Sequence, residues 1–169
     1  ATHPVCFVAK AEIRHWPVVG YLAARAGTLF VERNRRQDVG RVNTQLHEVL
    51  ARGECPALFP EGTTGDGRCL LPFNPSLLQP AITHAAQVLP LGLRYHTAND
   101  TFSSAPSYAG EISVWQSLQA MLATPGLCVT VHYCVPLSSE GTHRRELAHL
   151  SAQALATRLN LPYLATDMP

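Results

Sequence analysis

The spacing of apolar residues changes along this chain, and each spacing is typical of one kind of element. Short runs rich in β-branched and aromatic residues, and one run of strict alternation, predict strands. These runs are residues 5–8, 28–33, 56–60, 88–95 and 127–135. Apolar residues at every third or fourth position predict helices over residues 17–27, 38–53, 74–87, 113–122 and 142–160. Residues 96–110, rich in Ser, Asn and Pro, predict a long loop.

Polar residues, glycine and proline mark where the helices begin, bend and end. Asp38 and Asn74 are typical N-caps, and Pro80 is expected to kink the helix that Asn74 begins. Gly27 and Asn160 are typical of helix C-termini. Because strands alternate with helices, we expect an α/β fold with a largely parallel central sheet flanked by helices. One domain is expected to span residues 1–169.

The composition is that of a compact protein, with 46% hydrophobic and 15% charged residues, and it argues against disorder. A net charge of +1 provides no global attraction to nucleic acid. Residues 14–52 nevertheless hold seven arginines against three acidic residues, so an anion would meet this segment first. Since Lys10 is the only lysine among 13 basic residues, the arginine excess has two explanations, phosphate binding or genomic base composition.

Cysteine usage and hydropathy indicate the compartment. Five cysteines, an odd number at irregular spacing, do not form a disulfide framework and favour a reducing, cytoplasmic setting. Cys128, His132 and Cys134 share one strand face, but residues six apart on a strand lie ~20 Å apart, too far for one zinc ion. We expect these three side chains to be buried. No apolar run approaches the ~18–20 residues of a membrane span.

A glycine-rich loop follows the strand predicted at 56–60. Glu61 opens it, and Gly62, Gly65 and Gly67 allow backbone N–H groups to turn inward. A carboxylate at this position repels a bare phosphate and is better suited to accept hydrogen bonds from hydroxyl groups. Arg33, at the end of its own strand, is the natural phosphate ligand. The alternative is an ordinary surface turn that the "DG" pair at 66–67 closes.

Three segments resemble blocks of the glycerolipid acyltransferase family in order and spacing. They are "GTLFVER" (27–33), "FPEGTT" (59–64) and "VLPLGLRY" (88–95). The likeness extends over "FVAKAEI" (7–13) and "PSYAGEISVWQSL" (106–118), and so covers roughly residues 7–155. It is strongest to enzymes that acylate 1-acyl-glycerol-3-phosphate or lyso-ornithine lipid. The resemblance implies an acyl transfer from acyl-CoA or acyl-carrier protein to the hydroxyl of such a lysolipid.

The resemblance also implies roles for individual residues. Arg33 would bind the acceptor's phosphate or equivalent head group, and Glu61 and its neighbours would hold the glycerol part. The acceptor-side residues are Gly27, Phe30, Arg33, Glu61, Gly62, Thr63 and Thr64. Val88, Pro90 and Leu91 would line the acyl-donor side. Thr64 and Gly65 stand where the family most often has arginine and serine, which bears on the identity of the head group.

The family's His-x4-Asp dyad is not found among these residues. None of the eight histidines has an aspartate five positions later; His96 and Asp100 are four apart. We therefore expect no catalytic residue in the chain as given, and little or no activity without an N-terminal segment that carries the dyad. A diverged protein that never had the dyad is the other explanation.

These expectations describe a peripheral enzyme of the cytoplasmic membrane face that needs no metal and no cofactor. Arg35, Arg36 and Arg41 form either a patch for anionic lipid or an ordinary solvated face. The alternative is a non-catalytic module that binds a lipid or an acyl-carrier protein. A phosphate-handling enzyme of another kind is a third interpretation.

Overall fold

The computed structural model describes residues 5–31, 36–107, 110 and 112–164. They form two compact units. The first unit takes the chain up to residue 60, residues 74–87 and residues 138–145, and the second takes residues 61–73, 88–137 and those from 146 onward. The expectation of a single domain over 1–169 stays a prediction.

The first unit contains a three-stranded parallel sheet. Its strands are β1 (Val5–Lys10), β2 (Leu29–Val31) and β3 (Cys55–Ala57), in the spatial order β2-β1-β3. Val8 pairs with Leu29, and Val5 pairs with Cys55. A 3₁₀ helix (Ala11–His15) and α1 (Val19–Arg25) connect β1 to β2, and α2 (Arg36–Ala51) precedes β3. Such helical crossovers are what allow successive strands to run parallel, so the predicted α/β class is confirmed.

The core of this unit forms between β1 and α2. Val8 is buried against Val42 and Leu46, whose helical spacing places both on one face of α2. Leu29, Leu58 and Leu77 pack around this cluster. The predicted N-cap at Asp38 is wrong, because α2 already begins at Arg36 and includes Asp38. The apolar face of α2 begins after Asp38, so its periodicity could not reveal the earlier start.

Asn74 caps the next helical segment, as predicted. Its side-chain Oδ1 accepts a hydrogen bond from Ser76 N at 3.0 Å. A 3₁₀ helix (Pro75–Leu78) follows and passes into α3 (Gln79–Thr83). Instead of kinking one helix, Pro80 lies in the first turn of α3, where its missing N–H group needs no partner. The hydroxyl of buried Ser139 donates to Ala81 O at 2.9 Å.

The second unit contains an antiparallel pair, β4 (Leu91–His96) and β5 (Cys128–Tyr133). Leu91 pairs with Tyr133 and His96 with Cys128. The described strands therefore give a parallel sheet of three and a separate antiparallel pair, whereas the sequence pattern led us to expect one largely parallel sheet. Alternation identifies the faces of a strand but carries no information on its direction.

Two helices accompany this pair. Ser113 begins α4 (Val114–Leu122) with a capping box, in which its Oγ accepts from Gln116 N and its N donates to Gln116 Oε1. The other is α5 (Arg144–Leu159), and Asn160 follows it at φ 51°, the left-handed conformation expected of a C-terminal residue.

The expectation that Cys128, His132 and Cys134 are buried is wrong. Cys128 is exposed, and the other two are only partly buried. On the opposite face of the pair, Val129 and Val131 are exposed as well. Alternation predicted the two faces correctly, but which face is covered depends on packing.

Among the helices that the structure describes, none combines the length and the apolar character required to cross a bilayer.

Two glycines provide a test of the packing in the first unit. A methyl group on Gly20 would clash with the backbone oxygen of Arg14, whereas one on Gly40 would meet nothing within 4 Å. We expect Gly20→Ala to lower the free energy of unfolding by about 1–3 kcal/mol or more, as overpacking does. Gly40→Ala, the matched control within α2, should raise it by roughly 0.5–1 kcal/mol. Urea denaturation of the chain measures both, and equal effects would contradict the close backbone approach at Gly20.

Candidate functional site

The loop that follows β3 is held at both ends. Leu58 packs in the core, and the chain then runs through the exposed Phe59 and the partly buried Pro60 into Glu61. The carbonyl oxygen of Pro60 accepts a hydrogen bond from Asn74 N at 2.8 Å. This bond brings the two ends of the 61–73 segment together, so the segment is a closed loop that starts at the carboxyl end of a parallel strand. Ligands of α/β proteins bind at such strand ends.

Glu61 is oriented by its own loop. Its Oε2 accepts a hydrogen bond from Leu71 N at 3.1 Å, across ten residues of sequence. Partial burial raises the pKa of this carboxyl group, and the hydrogen bond from Leu71 opposes that effect. Within the described residues Oε1 accepts no hydrogen bond. The side chain is thus fixed through one oxygen and has the other available for a hydroxyl group.

Two glycines allow the loop to turn. Gly62 and Gly67 have φ values of 73° and 80°, a left-handed conformation that is strained for residues with a Cβ. Gly65 has no such requirement. Asp66 Oδ1 accepts from Arg68 N at 2.9 Å and forms the turn predicted at the "DG" pair. The turn interpretation and the functional one are therefore compatible, because the turn belongs to the loop that positions Glu61.

A distant segment supports the loop, and the sequence did not reveal it. Ser107 Oγ donates to Gly65 O at 3.0 Å, across 42 residues. The ring of Phe102 lies so close to Gly67 that a Cβ there would approach it to 3.1 Å. The guanidinium carbon of Arg68 stands 5.3 Å from the centroid of the same ring. Residues 102–107, predicted only as part of a long loop, therefore hold the glycine-rich turns in place.

A cavity of about 170 Å³ lies between the loop and its support. One wall is Thr64 with the turn at 65–67, and the other walls are mostly apolar residues and serines. These remaining residues are Leu93, Arg94, Tyr95, Phe102, Ser103, Ser104, Pro106, Ser107, Leu159 and Leu161. Arg94 Nη1 donates to Leu159 O at 2.7 Å, so this guanidinium is engaged in holding the end of α5 against β4.

Gly27 and Phe30, two further residues predicted for the acceptor side, lie on the connection around β2. Gly27 has φ 74° and ends α1, as predicted, and its carbonyl oxygen accepts from Cys6 Sγ at 3.0 Å. Phe30 is partly buried in β2. Arg33 lies outside the described residues. Its proximity to Glu61 therefore stays a prediction.

The donor-side residues form one end of the antiparallel pair. Val88 and Leu137 exchange two backbone hydrogen bonds of 2.9 and 2.8 Å. Pro90 is buried, and its carbonyl oxygen accepts from Cys134 N at 3.1 Å. Leu91 begins β4 and is exposed. Proline fits here because it presents only its acceptor to the neighbouring strand. The role of these residues toward an acyl donor stays a prediction.

No histidine of the described part is arranged with an aspartate as in a His-Asp dyad. His96 Nε2 lies 2.9 Å from Thr130 Oγ1 on the neighbouring strand, and Asp100 O accepts from Thr97 N. His47 and His84 pair with each other at 3.0 Å between ring nitrogens. Throughout the described ranges, no group of three His, Cys, Asp or Glu side chains is placed to hold a metal ion.

Comparison with known proteins identifies relatives along most of the chain. The family model described as Acyltransferase matches residues 1–94. The 1-acyl-sn-glycerol-3-phosphate acyltransferase of Neisseria meningitidis serogroup B is 37% identical over 148 residues, 87% of this chain and 58% of that protein. The lyso-ornithine lipid O-acyltransferase of Pseudomonas aeruginosa is 35% identical over 159 residues, 94% of this chain and 61% of that protein.

A solved structure supports the fold. The crystal structure of the 1-acyl-sn-glycerophosphate (LPA) acyltransferase from Thermotoga maritima matches 93% of this chain and 56% of that chain, with a TM-score of 0.55 and 18% identity. At that identity the match bears on the α/β architecture alone. The chain spans about three fifths of the length of the curated relatives described above.

The carboxyl group of Glu61 provides a pH test. In the unfolded chain its pKa is lower than in the native state, so the unfolded state loses its proton first as the pH rises. Ionised Glu61 therefore disfavours the native state above its raised pKa and has no such effect in acid. We expect Glu61→Gln, whose amide oxygen can still accept from Leu71 N, to be more stable than wild type at pH 8 and to lose that advantage near pH 4.

Urea denaturation at several pH values measures this difference. Glu140→Gln, which removes an exposed carboxylate, is the control and should follow the wild-type pH profile. An advantage of Glu61→Gln that is the same at all pH values would contradict the effect of burial.

The support from residue 107 can be tested separately. Ser107→Ala removes the donor to Gly65 O and should cost about 0.5–1.5 kcal/mol of unfolding free energy. Amide hydrogen exchange should quicken within residues 61–71. Ser104→Ala, an exposed neighbour, should change stability by less than ~0.5 kcal/mol. Unchanged exchange in the loop of the Ser107 variant would show that the hydrogen bond does not hold it.

Proposed function

We propose that this chain, which belongs to the acyltransferase family, transfers a fatty acyl group from acyl-CoA or acyl-carrier protein to the free hydroxyl of a lysolipid. Its relatives are O-acyltransferases named for lysolipid acceptors, which supports the reaction class. In this reaction the acceptor oxygen bonds to the acyl carbon and the thioester C–S bond breaks. The acceptor's proton passes to a base, and the carrier leaves as a thiol.

The observation that carries the proposal is the orientation of Glu61. One carboxylate oxygen is bound to Leu71 N, and the other accepts nothing among the described residues. A carboxylate held in this way accepts a hydrogen bond from the free hydroxyl of the acceptor and so orients its oxygen for the reaction. Gly62 and Thr63 follow it directly, and Thr63 is exposed. Glu61 is thus a positioning group for the acceptor and not the base.

The general base is not identified among the 169 residues, since no histidine precedes an aspartate by five positions. In the reaction a histidine would take the acceptor's proton while an aspartate holds its ring. We therefore assign acceptor binding to this chain and leave the proton transfer to the dyad that the family resemblance implies.

The names of the relatives suggest two possible acceptors. The Neisseria relative is named for 1-acyl-sn-glycerol-3-phosphate and the Pseudomonas relative for lyso-ornithine lipid, at 37% and 35% identity. Thr64 and Gly65, which replace the common arginine and serine, reduce the positive charge of the loop. This change favours an acceptor with less negative charge than a phosphate monoester, such as lyso-ornithine lipid. In either case the acceptor lies in a bilayer, so we place the protein at the inner, cytoplasmic face of the membrane.

A non-catalytic module that binds a lysolipid or an acyl-carrier protein is the second candidate. It is favoured by one observation, that none of the eight histidines here forms His-x4-Asp. The two candidates differ in turnover. An assay of labelled acyl transfer by the complete product of the gene distinguishes them, with both acceptors and both donors tested. Binding of a lysolipid without transfer to any acceptor would support the non-catalytic module.

The role of Arg33 yields a kinetic prediction. We expect Arg33→Ala to raise the KM for the acceptor by roughly 10- to 100-fold, the range expected for a lost hydrogen bond to a charged group. The KM for the donor should change little. Arg145→Ala, which removes an exposed arginine on α5, is the control. Equal increases in both KM values would contradict a head-group role.

A further inference from the structure

The turn at Val18 and the helix α1 that follows it display apolar side chains to solvent. The exposed fractions are 70% for Val18, 63% for Tyr21 and 59% for Leu22. Val19, between them, is exposed as well. We call these four residues the α1 apolar surface. A contiguous exposed apolar patch on a globular protein marks an interaction site.

The backbone at Val18 is strained, although the side chain of this residue is exposed. Val18 has φ 64° and ψ −56°, and Val19 N donates to Pro17 O at 2.6 Å. These features define a classic γ-turn, which is rare and costs about 1–3 kcal/mol at a β-branched residue. Burial does not offset this cost, because Val18 is the most exposed of the four side chains. Strain that brings no packing benefit is a feature of binding surfaces.

Aromatic and cationic groups border the apolar residues. Arg25 Nε donates to Tyr21 OH at 3.2 Å, and its guanidinium carbon lies 5.4 Å from the centroid of the tyrosine ring. Arg14 is exposed on the preceding 3₁₀ helix. In residues 11–27 Glu12 is the only acidic residue. Apolar side chains inserted beside a tyrosine and arginines match the acyl and head-group layers of an anionic bilayer.

The connection that carries this surface and the one that leads to the acceptor loop leave the parallel sheet at the same edge. Because β1 and β3 are parallel, the chain leaves both strands at the same edge of the sheet. From β1 it continues into the 3₁₀ helix and α1, and from β3 it continues through Pro60 toward Glu61. That this surface serves the approach to a lipid acceptor rests on the proposed function.

We propose that the α1 apolar surface inserts into the interface of an anionic lipid bilayer. The surface is short, so it supplies partial, reversible binding. The apolar residues enter below the head groups, and Arg14 and Arg25 contact the lipid phosphates.

Vesicle binding tests this proposal. Wild type should bind vesicles of equal parts phosphatidylglycerol and phosphatidylcholine more tightly than pure phosphatidylcholine vesicles, and added salt should weaken the binding. The double variant Tyr21→Ser/Leu22→Ser should lose about tenfold or more in affinity. The matched control is Leu122→Ser/Val135→Ser, which removes two side chains of 80% and 78% exposure on the second unit and should bind as wild type.

Val18→Gly adds a variant that separates binding from folding. Glycine relieves the strain at φ 64°, so the chain should unfold no more easily than wild type while its vesicle affinity falls. Three results would overturn the proposal: no binding by wild type, equal losses in the double variant and its control, or a changed oligomeric state in the double variant. The last would assign the surface to protein contacts.

The test is independent of the reaction. If the complete gene product transfers no acyl group to any lysolipid, the proposed function fails while vesicle binding still decides the role of the α1 apolar surface. If transfer occurs, the double variant should keep wild-type rates on a short-chain acceptor dissolved as monomers and lose rate on vesicle-bound acceptor. Equal losses of rate on both acceptors would contradict a role of the α1 apolar surface in membrane binding.

Discussion

Closure of the loop after β3 is the constraint on which the candidate site depends. The hydrogen bond from Asn74 N to Pro60 O joins the ends of the loop, and the one from Leu71 N to Glu61 Oε2 fixes the side chain at its mouth. Without them a glycine-rich segment would sample many conformations, because glycine loses the most entropy on ordering. Partial burial raises the pKa of this carboxyl group, and its other oxygen accepts no hydrogen bond from the described residues, a combination suited to a hydroxyl ligand.

The loop is ordered from outside as well as from within. Ser107 and Phe102 contact the turns at Gly65 and Gly67, and Ser117 Oγ in turn donates to Ala105 O at 3.2 Å from α4. The capping box at Ser113 fixes where α4 begins. A chain of short-range contacts thus links a helix end to the candidate acceptor loop. The serine hydroxyls at positions 107 and 117 both donate to backbone carbonyl oxygens.

A lipid acceptor would explain both the α1 apolar surface and the polar loop that holds Glu61. An aqueous substrate would not require Val18 to stand exposed in a strained γ-turn, whereas a substrate embedded in a bilayer requires the protein to approach that bilayer. A positioned carboxylate in turn suits the polar end of the same substrate. The connection that carries the apolar surface and the one that leads to the polar loop leave the parallel sheet at one edge. Parallel strands place them there because every connection of such a sheet leaves from its carboxyl edge.

The amino-acid sequence alone determined the α/β class, the approximate bounds of the helices and strands, the cap at Asn74, the left-handed glycines and the acyltransferase resemblance. These features depend on neighbouring residues, through spacing, capping and φ preference, so local patterns reveal them. Only the tertiary structure decided that β5 runs antiparallel to β4, that Cys128 is exposed, and that Glu61 binds Leu71 N while Ser107 supports Gly65. Strand direction, burial and hydrogen bonds across tens of residues depend on how the elements pack, and no local spacing encodes that.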